Sequence, residues 1–335
     1  MKILLFKIGA LGDILMTTPV IRQLRRMYPD AKIDYMCGKS FVSVLGGNKN
    51  LNEVIPIDEN IFLKKNLFGI LSISNMIKKK NYDVILVFDK HWIFSFLAKL
   101  SGVKRRIGFS RLGKEGMFYT DKVVYGPVKH EVHYYLELLS KLIGEKNLNY
   151  KDIKLDFFLD KKTIDSMKSL LKLKKISNFV ICANFGGDNA GEKGSIRKMP
   201  DDLFKNILDK LSKNNKIILL GGKNDFDYCA KFSDGKRIFN LAGLSIRESI
   251  VIMKFAKRIY TTDCGTMHMA ATANENITCF FGPTNPKRKA PLVKGLKVFW
   301  SDQDIYDEDY ELFGKIPKEK NFFIKVKFDD IRIVS

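Results

Sequence analysis

The stretch KIGALGDILMTTP, from Lys7 to Pro19, places one carboxylate, Asp13, in a glycine turn directly after the apolar run Ile3 to Phe6. A carboxylate there has two physical uses. It can cap the helix that follows by accepting a backbone N–H, or stand at the carboxyl end of a buried strand, where open α/β sheets hold their ligands. The densest polar cluster lies far along the chain, in TTDCGTMHMAATA, where Asp263, Cys264, Gly265 and Thr266 stand between a strand and an alanine-rich helix. N–H groups at a helix start, with the dipole behind them, make an anion site. Gly265 lets a phosphate approach the backbone, Thr266 offers a hydroxyl and His268 can donate a hydrogen bond. The plain alternative is that Asp263 and Thr266 cap the helix and His268 packs on its first turn. Cys264 and His268 stand four apart, the reach of a nucleophile and its base, but no third orienting group accompanies them. Metal ligation by Asp263, Cys264 and His268 lacks a second ligand pair at zinc-type spacing.

A second loop, ANFGGDNAGEKGSIRKMP, gathers Gly186, Gly187, Gly191 and Gly194 around Lys193, Arg197 and Lys198 after another strand. It matches neither the P-loop nor the dinucleotide fingerprint. Cations combined with close backbone approach nevertheless suit a diphosphate. A third loop, GPTNPKRKAP, follows Phe281.

Strand-like and helix-like segments must position these loops, and they alternate almost throughout. Ile3–Ile8 precedes a helix over Ile14–Tyr28, and further strands are expected at Lys32–Met36, Glu53–Ile57 and Asp83–Phe88. A second series runs through Phe179–Ala183, Lys216–Leu220, Arg237–Asn240, Arg258–Thr261 and Ile277–Phe281. Such alternation implies right-handed βαβ units and parallel sheets, and two series imply two doubly wound domains. The amphipathic helix Lys161–Lys175, with Ile164, Met167, Leu170 and Leu171 on one face, divides them, giving domains 1–160 and 161–335.

The chain of 335 residues is long enough for two cores. Its 58 basic residues against 37 acidic ones give a net charge of +21, which suits an anionic partner. The excess divides roughly evenly between the halves, which argues against a nucleic-acid arm. Its clusters are Lys78–Lys80, Lys104–Arg106 and Lys287–Lys289. Five cysteines, with no C-x-x-C pair, fit reduced thiols in a cytoplasmic protein. No apolar run is long enough to cross a membrane, and nothing at the start reads as a signal peptide. The segment IFLKKNLFGILSISNMIKKK, Ile61 to Lys80, reads either as an ordinary helix packed on a sheet or as a docking element for an anionic membrane surface.

The segments KILLFKIGALGDILMTTPVIRQLRRMYPDAKI and TTDCGTMHMAA…ITCFFGPTNPKRKAP together resemble glycosyltransferase family 9, the lipopolysaccharide heptosyltransferases and their relatives. The resemblance runs to about Trp300. It implies a GT-B fold: two Rossmann-like domains facing each other across a cleft, the first holding the acceptor and the second the nucleotide-sugar. It also implies transfer with inversion and without a metal. In this sequence the family's general base falls on Asp13, and its donor-phosphate motif on Asp263, Gly265, Thr266 and His268, with Cys264 where the family usually has Ser or Thr. The basic residue ahead of the family's W-P falls on Arg197, before Met199-Pro200. Asp225, beyond Gly221-Gly222, matches the acidic residue that reads the nucleotide ribose. Lys193, Gly186, Gly187 and Met267 complete the expected donor set. Gly12, Lys114 and His130 are the residues expected to face an anionic acceptor. Asn184-Phe185 replaces the family's usual Pro- and Gly-rich start of the glycine loop.

The function so implied is metal-independent, inverting transfer of a sugar, heptose from ADP-heptose, onto an anionic glycan or glycolipid of lipopolysaccharide-core type. The site is expected in the cytoplasm, with peripheral contact at the inner membrane's cytoplasmic face. Arg197 is expected to be solvent-accessible when no donor is bound. Three other readings share parts of this pattern. A transferase with another nucleotide-sugar and acceptor, or a non-catalytic sugar-nucleotide or polyanion binder, would have the same fold. An oxidoreductase would need a dinucleotide fingerprint that is missing.

Overall fold

A computed structural model describes residues 1–111, 115–186, 194–300 and 322–323. The chain forms two compact units, Met1–Phe158 and Leu159–Ser335. The first holds strands β1 (Lys2–Phe6), β2 (Lys32–Gly38), β3 (Glu53–Ile57), β4 (Val84–Val87), β5 (Arg105–Ser110) and β6 (Asp121–Val124). They form one parallel sheet in the order β3-β2-β1-β4-β5-β6. The second holds β7 (Phe179–Ala183), β8 (Lys216–Leu219), β9 (Ile238–Asn240), β10 (Ile259–Thr262), β11 (Ile277–Phe281) and β12 (Lys297–Trp300), ordered β12-β11-β10-β7-β8-β9. The two topologies are identical. In each unit the winding reverses between the first and fourth strands, β1/β4 and β7/β10, so the loops leaving those strands diverge and open a crevice at their carboxyl ends.

The central strands are buried along nearly their whole length, as sheets covered on both faces require. β4, β7, β10 and β11 have no exposed residue. Around the first sheet Leu4, Phe6, Ile85, Val87, Ile73, Ile77 and Leu97 form a continuous core. Val180, Phe204, Ile207, Ile217, Leu219, Tyr260 and Phe280 do so around the second.

β5, β6 and β12 were not among the expected strands. In β5 the alternation of Ile107 and Phe109 is masked by Arg105 and Arg106, whose guanidinium groups bond the carbonyls of Lys141, Phe118, Val103 and Lys104. That basic cluster is largely absorbed by the fold itself. The single helix expected over Ile14–Tyr28 is two, Leu11–Met16 and Thr18–Met27. Pro19 has no N–H for the Leu15 carbonyl, and the Thr18 hydroxyl donates to that carbonyl instead at 2.7 Å. The dividing helix runs Lys161–Leu173, capped by Asp160, whose carboxylate accepts from the Thr163 N–H at 2.8 Å. Ile61–Lys80 also breaks in two, with Asn66 capping a helix Leu67–Lys80 through the Gly69 N–H at 3.1 Å.

Candidate active site

In the first unit, β1 ends at Phe6 and β4 at Val87, so Lys7 and Asp89 are neighbours at the point where the winding reverses. Both are buried. The Lys7 ammonium lies 2.8 Å from Asp89 Oδ1 and 3.1 Å from Asp13 Oδ2, and the Ile8 N–H donates to Asp89 Oδ2 at 2.8 Å. Asp13 alone among the three reaches solvent, with its side chain 31% exposed. Burial pulls the Lys7 ammonium's pKa down, but the Asp89 and Asp13 charges outweigh it and leave it raised. Two carboxylates share this one cation. Burial, further reinforced by Asp13, therefore leaves the Asp89 carboxyl above its ordinary range despite Lys7.

Beside this triad a second ion pair, between the half-buried Lys90 and the buried Glu131, ties β4's end to the helix Glu131–Ile143. Lys90 Nζ lies 2.8 Å from Glu131 Oε2 and 3.9 Å from the centre of the Tyr125 ring, and the Tyr125 hydroxyl donates to Glu131 Oε1. Burial pushes Glu131 up, yet Lys90 and these hydrogen bonds bring it below its ordinary value.

The N-cap of the first helix is Ala10, not Asp13. Asp13 sits in the first turn, where its charge faces the positive end of the dipole. Gly12 is buried in the same turn. His130 caps the helix Glu131–Ile143, its Nδ1 accepting from the Val132 N–H at 3.2 Å, and is itself buried. Lys114 lies outside the described residues.

The second unit repeats the arrangement. Leaving β7 and β10, the chain ends are stitched together by Thr262, whose hydroxyl accepts from the Phe185 N–H at 3.0 Å and donates to the Phe185 carbonyl. The helix Gly265–Ala273 starts at this point, with Cys264 as an N-cap that makes no side-chain capping bond. Gly265 and Thr266 are partly exposed on its first turn, whereas the Met267 and His268 side chains are buried. The Met267 N–H is committed to the Cys264 carbonyl at 3.0 Å.

Asp263 turns inward. It accepts from the Thr284 hydroxyl at 2.6 Å and lies 3.8 Å from Arg197. Arg197 is 6% exposed, not solvent-accessible as expected, because its segment is anchored from below. The wholly buried Asn184 amide donates to the Met199 carbonyl at 3.0 Å and accepts from the Met199 N–H at 2.8 Å. Asn184-Phe185 thus serves to pin the Arg197 segment to the end of β7.

Gly186 is buried beside these residues. Gly187 and Lys193 lie outside the described residues. Asp225 closes the turn after β8, accepting from the Gly222 N–H at 2.8 Å. Gly221 there permits close packing, since a Cβ would come within 2.7 Å of Asp225 and the Phe185 ring. Lys7, Asp89, Lys90, Glu131, Asn184 and Thr284 were not foreseen as parts of these clusters. The available signal was the first polar residue after each buried run, Lys7 after ILLF and Asp89-Lys90 after VILVF.

Residues 70–310 match the model of glycosyltransferase family 9 (heptosyltransferase). The chain belongs to this family. It is a glycosyltransferase of GT-B fold, its two doubly wound units being the two Rossmann-like halves of that class. The family 9 chain is 22% identical to lipopolysaccharide heptosyltransferase 3 of Escherichia coli K12 over 304 residues, 87% of this chain and 85% of that protein. Among solved structures it superposes on the Escherichia coli ADP-heptose lps heptosyltransferase II with a TM-score of 0.74 at 20% identity, over 91% of this chain and 92% of that one. On Escherichia coli heptosyltransferase WaaC with ADP-2-deoxy-2-fluoro heptose the TM-score is 0.69 at 18% identity, covering 91% and 94%.

Proposed function

We propose that this glycosyltransferase moves a heptose from ADP-heptose onto an anionic acceptor of lipopolysaccharide-core type, with inversion and without a divalent metal. Family membership supports the reaction class. The related chains act on or bind such groups by their names: lipopolysaccharide heptosyltransferases, and WaaC with an ADP-linked fluoroheptose. The observation that carries the assignment of roles is that one polar cluster stands at each unit's winding reversal. One is acidic and partly open at Asp13; the other sets the Arg197 guanidinium, paired with Asp263, beside a helix start.

Asp13 is the general base in this reading. Its carboxylate takes the proton of the acceptor hydroxyl, the freed oxygen bonds to the anomeric carbon, and the bond from that carbon to the β-phosphate oxygen breaks. Lys7, bridging Asp13 to the buried Asp89, holds the carboxylate in place. The departing diphosphate gathers negative charge, and fixed donors aimed at developing charge usually contribute more to the rate of such a step than any other effect. The first turn at Gly265 and Thr266, with the dipole behind it, and the Arg197 guanidinium supply those donors. Asp263 takes no part as a ligand here; it orients Arg197 and Thr284.

A panel of nucleotide-sugars with a deacylated core oligosaccharide, assayed in EDTA, tests the reading. Transfer from ADP-heptose with inversion, unaffected by the chelator, is the expected result. Turnover with a different nucleotide-sugar alone, or a requirement for Mg²⁺ or Mn²⁺, overturns the corresponding part. Arg197→Ala is expected to weaken ADP binding and also to lower the melting temperature, since the buried Asp263 loses its cation; unchanged affinity in the folded variant would remove Arg197 from the donor site.

A further inference from the structure

The helix Leu67–Lys80 buries Ile70, Ile73, Ser74 and Ile77 against the first unit. An ordinary surface helix carries polar residues on the opposite face. Here the first half of that face is apolar. Phe68 is 86% exposed and Leu67 62%, Leu71 and Met76 are exposed beside them, and Leu63, at the end of the preceding short helix, is exposed as well. Within the helix Leu67–Lys80 the spacings 67, 71 and 68, 72, 76 place these residues on neighbouring rows, with Ser72 and Asn75 as small polar interruptions. Contiguous exposed apolar surface of this kind marks an interaction site.

The charges around the patch select the partner. Lys64 and Lys65 are exposed at its start, and Lys78 and Lys79 at its far end. Lys64 has Asp58 near it, and Lys80 is held by Glu53 at 2.7 Å. A second copy of the chain would bring the same lysines against one another in a two-fold contact. Protein interface cores are also depleted in lysine. An anionic bilayer fits both features, because apolar side chains enter the boundary of the acyl layer while lysines meet headgroups.

A further side chain extends the patch. Trp92 opens the helix Trp92–Leu100 and is 46% exposed, with His91 before it and Phe96 one turn on. This helix packs beside the helix Leu67–Lys80, where the Ser74 hydroxyl donates to the Leu97 carbonyl at 3.4 Å. Tryptophan favours the membrane–water interface. Both helices begin at the carboxyl edge of the sheet, the edge from which Lys7 and Asp89 emerge.

We propose that the face formed by Leu63, Leu67, Phe68, Leu71, Met76 and Trp92, ringed by Lys64, Lys65, Lys78 and Lys79, docks in the plane of an anionic lipid bilayer. Its purpose, bringing a lipid-borne acceptor to the edge that carries Asp13, rests on the reading of the reaction above; the docking itself does not.

Partition of the full chain onto vesicles is the test. Vesicles of phosphatidylcholine alone are compared with vesicles containing one part in three phosphatidylglycerol, at low and high salt. Binding is expected to the anionic vesicles and to weaken as salt screens the lysines. The double variant Phe68→Glu/Leu71→Glu changes only exposed side chains, so its melting temperature should match the parent's. Its partition should fall by about tenfold or more, since two buried apolar side chains are lost to the membrane. No binding by the parent, equal binding by the double variant, or a parent dimer that the variant dissolves would each overturn the proposal. The assay needs no turnover. A chain that transfers heptose yet ignores vesicles removes the docking face alone, and one that docks without transferring removes the reaction alone.

Discussion

Asp13 and Lys7 show how two residues of ordinary type acquire a special setting. Since Ala10 holds the N-cap, replacing Asp13 leaves the capping residue itself unchanged. It removes a charge that favours the helix N-terminus by about 0.3–1 kcal/mol, together with one arm of the Lys7 bridge. Asp13→Asn should therefore melt within a few degrees of the parent, while turnover falls by about two to four orders of magnitude if the carboxylate is the base. Rate measurements with both substrates saturating check this, and near-full turnover by the Asn variant would return Asp13 to a structural role. Lys7→Ala has the opposite profile. It leaves the buried Asp89 without its ammonium, a loss of about 3–5 kcal/mol. Urea unfolding of that variant should show a lowered midpoint before any kinetic effect is considered.

At the scale of elements, two ties join helices and loops to strand ends, and each gives a measurable consequence. Asn184→Ala would leave the buried Met199 N–H and carbonyl without their partner, at about 1–3 kcal/mol. It should also loosen Arg197, so ADP affinity is expected to fall along with stability, as calorimetric titration would register. Glu131 joins the helix Glu131–Ile143 to β4 through Lys90. Its pKa is lowered in the fold, so its contribution is present above its ordinary value of 4.5 and is lost as pH falls through the lower native value. Asp89, with a raised pKa, acts in the reverse sense: its burial is relieved as pH falls. Glu131→Gln should accordingly flatten the acid limb of a melting-temperature profile measured between about pH 6 and pH 3. An unchanged acid limb would mean that Glu131 carries little of this sensitivity. The covering helices were legible in the sequence as far as their buried faces went. Met167 and Leu171 are buried where the periodicity places them. Their ends were less legible, because Pro19 and the Thr18 hydroxyl decide the first break locally and Asn66 decides the second.

For the whole molecule, the two units have separate cores, and a nucleotide held by the second should act on it first. ADP in EDTA is expected to raise the melting of the second unit. A hundredfold excess over its dissociation constant corresponds to about 2.7 kcal/mol. Scanning calorimetry with and without ADP reads this, and no shift of any transition would count against donor binding without a metal.

The sequence by itself determined the αβ alternation, the positions of most strands and the resemblance to glycosyltransferase family 9. These are local patterns: buried strands read as apolar runs, turns as glycine and polar residues. Only the tertiary structure decided which of those turns belong together. Lys7 and Asp89 are 82 residues apart, and Asp263 and Arg197 are also distant in sequence. They meet because the sheets reverse their winding between β1 and β4 and between β7 and β10, a consequence of strand order that no local pattern encodes. Burial, too, was settled only there. It turned Arg197 from an expected solvent-facing cation into a packed one, and it left Phe68 in water on a helix whose composition alone would have let it face the core.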